Sequence, residues 1–470
     1  MRTLFQCCPP HGSGPDPGHQ PRRNTPARSR QAAGAGQVSA FRLECGGRID
    51  RTRPLQFTFD GRRCTGFAGD SLASALLANN IHFVGRSYKL HRPRGIMSAG
   101  SEEAAALVAM DRGRGRVDPN VRATTQPLFD GLVARPQHCW PSLRWDIGEL
   151  ARLGAPLFSA GFYYKTFMWP PSWWKRIYEP FLRKSAGLGR APTDLDPDRY
   201  ASLNMHCDLL IVGGGPAGLA TALHRAQDAR CRIIVVDEQG EPGGCLLADP
   251  AIELDGSPPS GWLNQALDQL GQMPNVTLLP RTTAFGYYED NLVGLASRLA
   301  DHLSAGQLDS MPDLPRERLI KVRAREVVLA TGAIERPLAF SGNDRPAIML
   351  AEAARTYLKR YGVAVGRTCV VATRHDSAYA AAFDLYDAGV AIPAIVEERS
   401  AAPAHLLALA QSRGIRVLAD HEIIKTTGRF GVTSVSVSRT GRNGQPERIG
   451  CDAVLVSGGW TPTIHLFSQS

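Results

Sequence analysis

The sequence predicts an α/β chain: a β-grasp, ferredoxin-like N-terminal domain followed by Rossmann-like blocks of the two-dinucleotide-binding kind. Three observations carry this expectation. Two short strands and a helix open the chain after an irregular start. A strand, a glycine turn, a helix and a second strand occupy residues 208–238. Two later apolar strands, at 326–332 and 454–459, both run into glycine.

The elements follow in order. Residues 1–37 are rich in Pro, Gly, Ser and Arg and read as a disordered extension. Leu55-Gln56-Phe57-Thr58-Phe59 alternates apolar and polar residues as a half-buried strand does, and Asp60-Gly61 is a hairpin turn signal. A second strand passes through Cys64 and Phe67. Asp70 then stands as the expected N-cap of a helix over Ser71 to Asn79. On this reading the ferredoxin-like domain spans 38–110. Residues 111–204 form a connector dense in Pro and aromatics, whose stretch 158–181 is expected to pack between domains or against another subunit. Residues 205–345 form a dinucleotide-binding domain, 346–450 a second α/β domain, and 451–470 a return strand of the dinucleotide-binding domain.

Composition bounds the rest. The 470 residues suffice for two to four domains, and 43% hydrophobic with 21% charged residues is ordinary for a globular chain. The net charge of +10 resides in residues 1–100, which hold fifteen Lys or Arg against five Asp or Glu; the remainder balances at 39 against 39. This asymmetry reads as a solvated tail and a basic face for a protein partner or an anionic cofactor, with neither nucleic acid nor membrane expected. Ten scattered cysteines with no C-x-x-C pair suit a reducing cytoplasm, and no secretory signal is read.

The chemistry centres on Asp208-Leu209-Leu210-Ile211-Val212-Gly213-Gly214-Gly215-Pro216-Ala217-Gly218. Gly213 allows the tight turn, Gly215 lets backbone approach a pyrophosphate, and Gly218 lets the helix pack closely on the sheet. The helix N-terminus offers unpaired N–H groups to phosphate. The next strand ends on Asp237-Glu238, nineteen residues after Gly218, where an acid accepts hydrogen bonds from ribose hydroxyls. Thr331 and Gly332 close the later strand Glu326–Leu329 in Ala-Thr-Gly. NAD and FAD both use such a turn, and the sequence leaves the choice open. In the middle block, Thr373-Arg374-His375-Asp376-Ser377 stands where a second glycine turn is expected, so a second dinucleotide is not expected there. Cys245 has no partner cysteine nearby, which argues against a redox dithiol.

Plant-type [2Fe–2S] ferredoxins ligate their cluster through C-x4-C-x2-C. Aligned on Arg92-Pro93-Arg94-Gly95, this chain has Ser98, Glu103 and Ala106 at those positions. The expectation is therefore a scaffold domain with no iron–sulfur cluster and no bound metal.

Residues 46–53 (Gly-Gly-Arg-Ile-Asp-Arg-Thr-Arg), 66–80, 85–95 (Gly-Arg-Ser-Tyr-Lys-Leu-His-Arg-Pro-Arg-Gly), 161–169 (Gly-Phe-Tyr-Tyr-Lys-Thr-Phe-Met-Trp) and the closing Ser-Gly-Gly-Trp-Thr-Pro-Thr-Ile-His carry a family resemblance. From about residue 40 onward the chain resembles the alpha subunit of heterotetrameric sarcosine oxidase. The resemblance implies oxidation of sarcosine to glycine with O2 becoming peroxide, and methylenetetrahydrofolate formation when tetrahydrofolate is present. It implies beta, gamma and delta partner subunits, chemistry on flavins of the beta partner, and FMN at the alpha–beta interface. It also implies NAD bound without redox turnover in the alpha subunit. Cofactor-binding residues carried over are Gly213, Gly215, Pro216, Ala217, Gly218, Asp237, Glu238, Gln239, Gly244, Cys245, Ala284, Thr331 and Gly332; no catalytic residue is expected in this chain. Family alpha subunits continue into a folate-binding domain, so the sequence reads as an N-terminal part, inactive alone. Competing readings are a non-catalytic dinucleotide-binding assembly module, a subunit of a related FAD-dependent amine or opine dehydrogenase, and a stand-alone reductase.

Overall fold

The computed structural model describes residues 41–113, 116–157, 168–185, 189, 192, 195–248, 253–441 and 445–470. The expected disordered extension over 1–37 and the aromatic residues at 158–167 lie outside the described residues. Of the rest of that aromatic stretch, Trp169, Trp173 and Phe181 are exposed.

Strands Asp50–Phe59 and Arg62–Ala68 pair antiparallel across Asp60-Gly61, where both residues take the positive φ (49° and 77°) that a tight two-residue hairpin turn requires. The following helix is Leu72–Ala78, and its cap differs from expectation. Ser71 is the N-cap, in a capping box with Ser74, a motif worth about 1 kcal/mol. Asp70 is buried instead: its carboxylate accepts from both Arg42 nitrogens (3.1 and 2.6 Å), the Ser74 hydroxyl (2.6 Å) and the Phe67 N–H (2.9 Å). A buried guanidinium, which a pattern of polar and apolar residues does not reveal, claims the acid.

The N-terminal domain does not end at 110. Its five-stranded sheet has the order Arg62–Ala68, Asp50–Phe59, Leu132–Pro136, Leu107–Asp111, Val117–Arg122, so three of its strands reach beyond Ala106 and two lie wholly within the expected connector. Without Leu132–Pro136 the free edge of Asp50–Phe59 would be unpaired.

The dinucleotide-type domain is a six-stranded sheet ordered Val276–Leu279, Ile233–Val236, Tyr200–Val212, Glu317–Leu329, Leu292–Arg298, Thr282–Tyr288. The first four run parallel and the last two add antiparallel. Strand Tyr200–Val212 begins inside the expected connector, and only its last residues are continuously buried, which is why the apolar run reads short. Helix Pro216–Arg225 and helix Pro259–Gln272 cover one face.

The second α/β block is a parallel sheet ordered Ile348–Leu350, Ala453–Ser457, Cys369–Thr373, Ile395–Glu397, Val417–Ala419. Ala453–Ser457 therefore belongs here, between Ile348–Leu350 and Cys369–Thr373, and not to the dinucleotide-type sheet. Its five buried apolar and small residues fit either parallel sheet; pairing alone decides. What does return is Trp460–Pro462, which pairs antiparallel with Ala333–Glu335 in a two-stranded ribbon joining the blocks. The N-terminal domain and the second block share one continuous core, in which Leu72, Leu76 and Ile96 join Met349, Tyr357 and Val454. The Tyr357 hydroxyl donates to the Ser98 carbonyl (2.7 Å) across this junction. No helix among the described residues is long and apolar enough to cross a membrane.

Candidate functional site

A cleft of about 1310 Å³ opens where the three domains meet. Twelve of the thirteen expected site residues line it: Gly213, Gly215, Pro216, Ala217, Asp237, Glu238, Gln239, Gly244, Cys245, Ala284, Thr331 and Gly332. Gly218 does not, and its geometry explains why. A Cβ there would lie 1.9 Å from the Gly213 carbonyl oxygen, so Gly218 lets the helix seat on the turn. Gly213 itself has φ +110°, and a Cβ on it would meet the Ala330 oxygen at 2.2 Å. Gly215 is different. Its added Cβ would touch only Gly244 Cα at 3.9 Å, so this glycine keeps the cleft floor open. Helix Pro216–Arg225 starts on Gly215 with no side-chain cap, leaving its first N–H groups to the cleft. These features fit a dinucleotide pyrophosphate.

The acids at the end of strand Ile233–Val236 are more committed than their spacing suggests. Asp237 accepts the Gly214 N–H (2.7 Å) and the Gln239 N–H (2.8 Å), tying the glycine turn to the strand end. Burial raises its pKa despite these bonds. Glu238 accepts the Ser101 hydroxyl (2.8 Å), and burial raises its pKa as well. Gln239 accepts from Arg360, which also approaches Glu241 at 3.6 Å, while Glu241 pairs with Arg48. The Thr331 hydroxyl donates to the Thr463 carbonyl (2.7 Å), and Gly332 takes φ +68° at the start of the ribbon.

Several wall residues were not expected. Ser101, Glu102 and Arg122 come from the N-terminal domain, and Glu352, Thr356 and Arg360 from helix Ala351–Tyr361. No local signal marks them, because each reaches the cleft only through packing between domains. Glu335, on the ribbon, is also new. It is 5% exposed and accepts the Glu352 N–H (2.9 Å) at the start of helix Ala351–Tyr361. Burial pushes its pKa up to about 7, against the pull of the Ser457 hydroxyl and that N–H.

In the second block, the strand ends carry a network of charged side chains. Glu397, fully buried at a strand end, accepts from Arg399 (2.9 and 2.8 Å) and from the Tyr379 hydroxyl (3.2 Å); Arg399 also reaches Asp376 (2.7 Å). Cys245 is exposed, and no disulfide forms among the described cysteines.

Comparison with known proteins places these parts. Residues 52–139 match the 2Fe-2S iron-sulfur cluster binding domain family, and residues 207–375 match the pyridine nucleotide-disulphide oxidoreductase family. The first match corrects the expectation of no iron–sulfur cluster: the N-terminal domain matches a cluster-binding family over most of its length. As for side chains, Ser98, Glu103 and Ala106 are all buried, and the Glu103 carboxylate accepts four backbone N–H groups, of Met97, Ser98, Ala105 and Ala106 (2.7–3.1 Å). No group of three or more His, Cys, Asp or Glu placed to hold a metal occurs among the described residues.

The alpha subunit of sarcosine oxidase from Rhizobium meliloti (strain 1021) is 48% identical over 429 residues, covering 91% of this chain and 42% of that protein. The alpha subunit from Corynebacterium sp. (strain P-1) is 36% identical over 430 residues, covering 90% and 39%. The crystal structure of L-proline dehydrogenase from P. horikoshii superposes with a TM-score of 0.56 at 18% identity, over 92% of this chain and 64% of that one, which speaks to the fold alone. The chain spans about two fifths of the length of the curated relatives it matches. Within that span, this chain is a homologue of the alpha subunits of sarcosine oxidase, with an iron–sulfur-type domain joined to a pyridine nucleotide-disulphide oxidoreductase-type domain.

Proposed function

We propose that the chain serves as the alpha-type component of a multi-subunit sarcosine oxidase, converting sarcosine to glycine with O2 becoming peroxide, and that its cleft holds a dinucleotide. The observation that supports this best is the likeness to sarcosine oxidase alpha subunits along nine tenths of the chain. The cleft adds a physical reason. The turn at Gly213–Gly218 gives backbone N–H groups a direct approach to a pyrophosphate. Asp237 braces that turn, and Glu238 and Gln239 stand at the ribose end. A dinucleotide bound there supplies either a redox ring or a fixed structural element; this chain's residues bind and orient it. By the likeness to sarcosine oxidase alpha subunits, amine oxidation is assigned to flavins of a partner subunit, with beta, gamma and delta subunits as the expected partners.

Two measurements test the proposal. Mass spectrometry of ligand released from denatured protein is expected to give NAD or FAD, and a chain without nucleotide at full occupancy of its fold contradicts the cleft assignment. Co-expression of the full-length alpha-type protein with its partner subunits is expected to give sarcosine-dependent peroxide. A stable complex without that activity refutes the substrate.

A further inference from the structure

A second cavity, of about 320 Å³, lies at the seam between the N-terminal domain and the second α/β block, and shares no lining residue with the large cleft. One side is supplied by residues 85–107 and 137–138, the other by Asn343, Asp344, Arg345 and Ile348. The seam is intimate: a Cβ on Gly95 would lie 2.7 Å from Pro346 Cα and 2.8 Å from the His82 oxygen.

Positive charge in this pocket exceeds what the protein offers to balance it. Arg86, Arg94 and Arg345 line it, with Asp344 as the acid. Asp344 is already shared, since it accepts from both Arg92 and Arg94. Arg86 has its own acids in buried Asp146 (3.5 Å) and Glu149 (3.4 Å) and is further held by the Leu143 and His91 carbonyls (2.9 and 2.7 Å), so the unbalanced charge is that of Arg94 and Arg345. Arg345 is held by neutral acceptors, the Thr426 hydroxyl (3.2 Å) and the Gly428 carbonyl. Burial lowers the pKa values of Arg92, Arg94 and Arg345, Arg94 to about 10; repulsion from Arg92 adds to this at Arg94 and Arg345, and repulsion from Arg152 adds to it at Arg92 and Arg345. His138, on the same wall, is pushed down by burial and by His91, and brings a neutral imidazole. Partly dehydrated guanidinium groups that repel one another are stabilised by an anion among them, through charge-assisted hydrogen bonds. The remaining wall includes Met97, Leu107 and Ile348, which offer apolar surface and no charge. The volume is at the lower end of small-ligand sites.

We propose that this seam pocket binds a small organic anion, with a phosphate or carboxylate head at Arg94 and Arg345 and an apolar body against Met97 and Leu107. The assignment is independent of the dinucleotide cleft and of the amine-oxidising reading.

The test is calorimetric titration of the full chain with inorganic phosphate and with phenyl phosphate, at constant ionic strength in chloride and with saturating NAD present to occupy the first cleft. One saturable site is expected for each probe, tighter for phenyl phosphate because of the apolar wall. Arg345→Gln and Arg94→Gln are each expected to weaken phenyl phosphate by about tenfold, the loss of one charged hydrogen-bonding partner, with NAD retention unchanged. If Arg345→Gln does not fold, Arg345→Lys keeps the charge without the fork and is expected to bind at least several-fold more weakly. Heats that do not saturate, heats abolished by NAD, or binding equal to wild type in the folded arginine variants would overturn the proposal. So would a pocket that takes no probe and is filled by a partner's acidic side chain in the assembled complex.

Discussion

Replacing Glu335 with glutamine isolates the most perturbed carboxyl lining the cleft. The ordinary glutamate value is 4.5, and burial moves Glu335 to about 7. At 1.36 kcal/mol per pKa unit, the shift corresponds to about 3 kcal/mol between the two protonation states. The sign follows from proton counting. Between pH 4.5 and 7 the folded chain holds a proton that the unfolded chain has released, so stability falls as pH rises through that window. Below it both states are protonated; above it the folded state carries the full cost of a buried carboxylate, offset in part by the Glu352 N–H and the start of its helix. The glutamine amide of Glu335→Gln retains an acceptor for that N–H and has no titration. Melting temperatures measured by calorimetry from pH 5 to 8 are therefore expected to decline more steeply for the wild-type chain than for Glu335→Gln, with the variant gaining relative stability up to about pH 7 and keeping it above. Infrared spectra over the same range should show a protonated-carboxyl band in the wild type that fades near pH 7 and is missing in the variant. Parallel stability curves, together with unchanged infrared spectra, would refute the argument that burial dominates at this position.

Three further outcomes follow from the geometry. Gly218→Ala raises helix propensity by about 1 kcal/mol, but its Cβ collides with the Gly213 oxygen, so a net loss above about 3 kcal/mol and loss of bound nucleotide are expected, read by thermal melting and by released-ligand mass spectrometry. Asp237→Asn leaves one of two backbone N–H groups without an acceptor, costing about 1–3 kcal/mol at the turn; nucleotide occupancy should fall in titrations, and unchanged occupancy contradicts the bracing role. Arg42→Met strips buried Asp70 of its ion pair and the Tyr361 carbonyl of a donor, for an expected loss of about 3–5 kcal/mol in chemical denaturation; a shift below about 1 kcal/mol would show that Asp70 finds another partner.

Local rules made the centre of the site readable in the sequence. The turn at Gly213–Gly218 and the strand ending on Asp237 depend on steric requirements confined to about thirty residues, and the structure brings them together. What escaped notice depends on contacts between distant segments. Asp70 is a good N-cap by type, yet Arg42 takes it and Ser71 caps the helix. Ala453–Ser457 is apolar enough for either parallel sheet, and only its pairing with Cys369–Thr373 places it. The boundary at 110 followed a change in composition, although strands Val117–Arg122 and Leu132–Pro136 complete the first sheet. Ser101 and Arg360 reach the cleft from elements more than 100 residues away from the glycine turn in either direction. Glu335 looks like one more polar residue beside Arg336-Pro337 until packing buries it. The likeness of the N-terminal domain to cluster-binding domains escaped for a different reason: the expectation rests on three loop positions, whereas the family match extends over residues 52–139.

The Ser101–Glu238 bond and the Arg360–Gln239 contact have a kinetic consequence. The proposed dinucleotide would therefore touch three domains, two of them built on a single core. Its release would then need those contacts to part together, and dialysis of the purified chain followed by mass spectrometry of the retained ligand reads how readily they do.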